Sequence, residues 1–190
     1  FSAEAHAAAT GPVPPLAEGA RVWLIGEMPY KAQDNGAHFF RWMRTHHPEI
    51  DAYYVLDASS EERDIVGSEH VIEHGSAEHF RLALQAERFV GTHHAEFLYP
   101  TRNPAFVRRL TGARVFLQHG VMGTKWMVPN YGKRAAGFET DLFLASSERE
   151  KRYLVDDFGY APEEVLVTGL SRFDTLLAPE APSHPRQLLV

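Results

Sequence analysis

The sequence predicts an α/β domain, a mostly parallel sheet with helices on both faces. Three observations lead there. Short β-rich runs alternate with helical patterns along the chain. Those runs are nearly continuous in Val, Ile, Leu and Phe, as strands buried on both faces require. The turns that follow them carry His, Asp, Asn, Lys and Arg, where a purely structural loop needs only turn residues.

The candidate strands are RVWLIG (21–26), AYYVLD (52–57), HVIEH (70–74), RFVGT (88–92), RVFLQ (114–118), DLFLAS (141–146) and VLVTG (165–169). Helical stretches fall near 35–47, 76–86, 102–111, 147–158 and 172–177. Two have clear starts: Ser76 precedes Glu78 and His79, and Ser147 precedes Glu148 and Glu150, placing acidic groups where the helix dipole is positive.

The bulk properties narrow the classes. A length of 190 residues suits one well-buried domain and the beginning of a second. A net charge of −6 disfavours a broad electrostatic grip on nucleic acid, and no nucleic-acid partner is expected. The chain has no cysteine, which excludes disulfides, thiolate metal sites and cysteine nucleophiles. No apolar run is long enough to span a bilayer. Residues 1–16 read as a flexible lead-in, 17–178 as the α/β domain, and 179–190 as a Pro- and Ala-rich linker with the start of another strand. The chain is therefore expected to be a fragment whose second domain is missing.

Ligands of such sheets bind beyond the carboxyl ends of the strands, which makes the loops after strands the places to search. The stretch RVFLQHGVMGTKW places His119, Gly120, Gly123, Thr124 and Lys125 directly after an apolar run. A neutral imidazole there can act as a general base, and glycine amides can approach phosphate oxygens. AQDNGAHFF offers Asp34, Asn35 and Gly36 at a helix start, as caps or as caps that also touch an anion. His93 is a candidate substrate contact; its neighbour His94 does not complete any metal-ligand spacing, so no metal site and no cofactor are expected. Ser147 and the TGLSRFD stretch add polar groups at two further strand ends. In the latter, Arg172 is placed to bind a phosphate or to pair with Asp174. Glu27 after the first strand would repel a pyrophosphate, and no glycine-rich dinucleotide fingerprint is present.

Six stretches in this order, WLIGE…AQDNGAHFF, HPEIDAYYVLD, HGSAEHFRLALQAERFVGTHH, VFLQHGVMGTKW, DLFLASSEREK and VTGLSRFDTLL, resemble the CDP-glycerol glycerophosphotransferase family of teichoic-acid polymerases and primases. The resemblance covers about residues 21–178. It implies a Rossmann-like amino-terminal half of a two-domain GT-B fold. It also implies transfer of glycerol phosphate, or a related polyol phosphate, from a CDP-activated donor to a hydroxyl of a lipid-linked teichoic-acid or capsule polymer, with release of CMP. The family's catalytic histidine falls on His119, and most donor-binding groups fall in the carboxyl-terminal half, so the isolated fragment is expected to be inactive. Ser171 stands where the family pattern often has proline. The implied place is the cytoplasmic side, peripheral on the inner face of the membrane. The competing readings are a nucleotide-sugar glycosyltransferase of the same fold and a noncatalytic module that binds the acceptor or the membrane.

Overall fold

The computed structural model describes residues 3–177 apart from 14 and 124. Thr124 and the expected linker at 179–190 therefore lie outside the described residues.

Helix α1 (Ala3–Thr10) comes first and is followed by β1 (Val22–Gly26), α2 (Asn35–His46), β2 (Asp51–Leu56), α3 (Arg63–Val66) and β3 (Val71–Glu73). The second half holds α4 (Ala77–Gln85), β4 (Ala86–Gly91), α5 (Pro104–Val107), β5 (Ala113–Phe116), α6 (Val128–Tyr131), β6 (Leu142–Ala145), α7 (Glu148–Asp156) and β7 (Val165–Val167). A 3₁₀ segment, Ser171–Leu177, follows β7.

All seven strands join one parallel sheet in the order β3-β2-β1-β4-β5-β6-β7. The chain builds outward from β1 in one direction, then returns to continue on its other side from β4. The crevice between the carboxyl ends of β1 and β4 is thus the switch point at which sheets of this kind bind ligands. Gly26 and Gly91 sit side by side at that edge. A Cβ on Gly26 would come within 2.8 Å of the Leu98 side chain and 3.3 Å of the Val55 carbonyl, so glycine there leaves the space that Leu98 fills against β1.

Side chains alternate across the sheet, and each face has its own core. One face carries Leu24, Val55 and Phe89 against Phe80 of α4 and Phe106 of α5. Phe116, Phe143 and Val165 continue that face towards β7, covered by Tyr131 of α6 and Leu154 of α7. The opposite face carries Ile25, Tyr54, Leu56 and Val90 against Phe40 and Met43 of α2 and Val66 of α3. Phe40 and Met43 are almost fully buried, and each such side chain contributes about 1.5–3 kcal/mol of transfer free energy. Helices on both faces of a parallel sheet are therefore what the alternating pattern produces.

Two expectations change in the details. Residues 3–10, read as part of a flexible lead-in, form α1, because small alanine side chains let it lie against α4 with Ala5 buried. Arg109 donates to the carbonyls of Ala9 and Gly11, closing the end of that helix with a cation where its dipole is negative. The fifth strand, expected to run to residue 118, stops at Phe116. Gln118 is turned into the left-handed region at φ 53°, a conformation that lifts the chain out of the sheet plane just before His119.

Candidate functional site

The sheet's carboxyl edge brings together the loops after β1, β4, β5 and β7. Thr92, buried directly after β4, organises the centre. Its amide donates to the Gly26 carbonyl of β1, tying the two sides of the crevice together. Its carbonyl oxygen lies 2.9 Å from His119 Nδ1, and its hydroxyl lies 2.9 Å from His93 Nδ1. A carbonyl only accepts, so Nδ1 of His119 carries a proton, and in the neutral ring Nε2 is then the unprotonated nitrogen. The ring is half-buried at the carboxyl edge of the sheet.

His93 lies flat against that ring, with centroids 4.5 Å apart and planes within 4°. Burial, and then the neighbouring His119, lower the His93 pKa from its ordinary value to about 4, so it is neutral at physiological pH. His94 points elsewhere: its Nδ1 donates to the Gly137 carbonyl, and its ring packs on Tyr131 and Phe138. The adjacent histidines thus serve different surroundings, as alternating side chains after a strand do. Among the described residues, no group of three or more His, Asp or Glu is arranged to hold a metal ion.

The loop that carries His119 is fastened from beneath. Glu150, buried in the first turn of α7, accepts from the Met122 amide at 2.5 Å, the Ser146 amide at 2.6 Å and Gln118 Nε2 at 3.2 Å. Gln118 Nε2 also reaches the Leu144 carbonyl at 2.9 Å, which holds the left-handed residue in place. Ser147, a candidate ligand contact, uses its hydroxyl to accept the Glu150 amide as the cap of α7. Gly120 faces open space, and Gly123 adopts φ 119°, which side chains rarely allow. Val121, Lys125 and Trp126 of this loop are exposed.

At the start of α2 the expected cap is present, and a buried carboxylate lies beneath it. Glu27 folds under it, buried, and accepts from the amides of Gln33, Asp34 and Ala37 at 2.8–3.1 Å. Burial raises its pKa, an effect opposed by those three amides. The protein's own carboxylate thus accepts the amides at this helix start. Gly36 is structural for the same reason: a Cβ there would meet Glu27 Cγ and the Gly26 carbonyl at 2.8 Å. Asp34 caps α2 by accepting the Asn35 amide.

Arg172 pairs with Asp34, at 2.5 Å, and not with Asp174. The same Nη1 donates to the His119 carbonyl at 3.0 Å, so the guanidinium braces the His119 loop against α2. Asn35, fully buried, donates to the Gln118 carbonyl at 2.9 Å and accepts the Arg172 amide at 3.1 Å. Ser171 donates its hydroxyl to the Asn35 carbonyl at 2.8 Å, a contact that proline at this position cannot make. Beside this network lies a groove of about 220 Å³, lined by Asn35, His38, Trp42, Leu144, Gly169 and Asp174 among others.

The structure therefore gathers Asp34, Asn35, His93, His119 and Arg172 around one crevice. Ser147 lies beneath the neighbouring loop as a cap, and Asp174 lines the adjoining groove while staying exposed. Sequence reasoning overlooked Thr92, Glu150 and His38. A threonine at a strand end and a glutamate in a first helical turn have ordinary local explanations, and only their distant partners reveal the second role. His38 lines the groove, and burial lowers its pKa.

Comparison with known proteins agrees with this architecture. A model of the CDP-Glycerol:Poly(glycerophosphate) glycerophosphotransferase family matches residues 13–186. The minor teichoic acid biosynthesis protein GgaB of Bacillus subtilis (strain 168) is 27% identical over 180 residues, which cover 89% of this chain and 19% of GgaB. Solved structures of the wall teichoic acid polymerase TagF share the fold. A histidine variant soaked with CDPG superposes with a TM-score of 0.57 at 14% identity, covering 86% of this chain and 41% of that one. A second variant gives 0.55 at 15% identity, covering 85% and 42%. The chain thus spans less than half of the TagF structures and about a fifth of GgaB. With the family model matched over most of its length and the parallel sheet shared with TagF, this chain belongs to the CDP-glycerol:poly(glycerophosphate) glycerophosphotransferase family.

Proposed function

We propose that this chain supplies the base-bearing side of a transferase that moves glycerol phosphate, or a related polyol phosphate, from a CDP-activated donor to a polymer hydroxyl. One observation carries the reading: Thr92 holds His119 in the tautomer whose Nε2 is unprotonated, at the carboxyl edge of the sheet beside the switch point. In the reaction, Nε2 accepts the proton of the acceptor hydroxyl as its oxygen attacks the donor's β-phosphorus. A new P–O bond forms, the P–O bond to CMP breaks, and CMP leaves with its electron pair. Charge on the phosphoryl oxygens needs donors already in place. The loop supplies them from the amides around Gly120 and Gly123 and from the exposed Lys125. Arg172 contributes by bracing the loop, in keeping with its two existing contacts.

Support for the donor class comes from the family and from the CDPG named with the TagF structure. In our reading a second domain completes the crevice, a lipid-linked teichoic-acid or capsule polymer is the acceptor, and the enzyme works peripherally on the inner membrane face. Among the described residues, no helix is long and apolar enough to cross a membrane. His119→Ala in the full-length protein should reduce CMP release at least a thousandfold with fold and acceptor binding intact. Retained turnover removes His119 from the chemistry.

A further inference from the structure

A hydrogen bond to Thr92 fixes the tautomer of His119 but not the plane of its ring, which can still pivot about the Nδ1···O line. A base must also hold its lone pair on the approach path of the hydroxyl proton, since a small misplacement is costly in rate. The side chain that meets the face of the ring is His93, parallel and 4.5 Å away. Tyr131 approaches it edgewise at 6.0 Å.

We propose that His93 is a positioning residue for the His119 base, its ring stacked on the His119 imidazole and tied to the same threonine so that Nε2 stays aimed into the crevice. The proposal rests on His119 being the base. Thr92 anchors both rings from one buried residue, the carbonyl taking His119 and the hydroxyl taking His93, so their mutual placement follows from β4 itself. The stack also suits the change of charge. A neutral aromatic face accepts a cation, so the imidazolium that forms on proton transfer is stabilised where a second imidazolium would repel it. Asp34, His94 and His119 are the titratable groups that act on His93, and burial holds it neutral beside the His119 ring. This role differs from a substrate contact, which would use the His93 nitrogens and not its plane.

The test separates plane from nitrogens. His93→Phe keeps a flat ring without nitrogens, and His93→Ala removes both. In the full-length protein with CDP-glycerol as donor, His93→Ala should lower kcat at least tenfold with KM changed less than twofold, whereas His93→Phe should stay within threefold of the parent kcat. Equal losses in both variants, or a loss confined to KM, overturn the proposal, as does full activity of His93→Ala. His119→Asn is the control: if that variant turns over, the base reading itself fails. If it is dead while His93→Ala is active, only the positioning role fails. A donor-independent measurement uses nitrogen-resolved imidazole spectra of the 190-residue chain. Contacts between the two ring systems and a single Nδ1-protonated form of His119 are expected in the parent and in His93→Phe. Their absence from the parent refutes the stack even if His93→Ala fails to fold.

Discussion

Asn35 at the first turn of α2 donates from its side chain to the carbonyl of Gln118, 2.9 Å away and 83 positions along the chain. The bond joins a helix start on one side of the switch point to the left-handed residue that launches the His119 loop. Asn35 also accepts the Arg172 amide and, through its carbonyl, the Ser171 hydroxyl, so three loops meet on one buried side chain and its backbone.

Removing that side chain leaves buried groups without partners. Asn35→Ala is expected to destabilise the fold by about 2–3 kcal/mol, since an unpaired buried polar group costs roughly 1–3 kcal/mol. Urea unfolding followed by circular dichroism measures it. A loss below about 0.5 kcal/mol would mean that water replaces the network without cost.

Glu150 should behave as the latch of the loop that carries His119. Glu150→Ala removes the acceptor of the Met122 and Ser146 amides, so both amides should exchange hydrogen at least tenfold faster than in the parent. Mass-resolved exchange reports this directly, and amides elsewhere in β6 serve as the internal reference.

The glycine at the second position of α2 has no space for a methyl group. Gly36→Ala drives a Cβ to 2.8 Å from the Gly26 carbonyl and from Glu27, and strain of this kind costs about 1–3 kcal/mol, more than the helix propensity that alanine adds. A lowered thermal midpoint is expected; an unchanged one would show that β1 shifts freely.

Stability should also carry the signature of a buried neutral histidine. His79 is fully enclosed, accepts the Gly75 amide on Nδ1 and lies 3.0 Å from the Leu98 carbonyl through Nε2. Burial lowers its pKa from 6.5 to about 3. Between those values the unfolded chain binds the proton and the native chain does not, so stability is complete above pH 6.5 and falls as acid is added towards pH 3. The slope is about 1.4 kcal/mol per pH unit at most. Urea midpoints across this window test it, and His79→Gln should flatten the slope; an equal slope in both proteins would assign it to other groups.

The legibility of this protein divides by the range of the forces involved. Strand identity and the capped helices α4 and α7 were readable because apolar runs and caps such as Ser76 and Ser147 are local, whereas the helix expected over 102–111 shrinks to Pro104–Val107 and the short α3 and α6 carry no such signal. The place of His119 was readable too, since a residue directly after a parallel strand falls at the sheet's carboxyl edge. The helix at residues 3–10 was not, since its burial comes from α4 and its end is closed by Arg109, about a hundred positions away.

By itself, then, the sequence determined the layered α/β architecture and put a histidine beyond the fifth strand, because periodicity and turn chemistry act over a few residues. Tertiary structure alone decided that this histidine turns Nδ1 to the Thr92 carbonyl, that Glu27 accepts the amides of the α2 start, and that Arg172 joins Asp34 across the crevice. Those choices belong to hydrogen bonds between strands and loops far apart in the chain, whose geometry exists only once the sheet has formed.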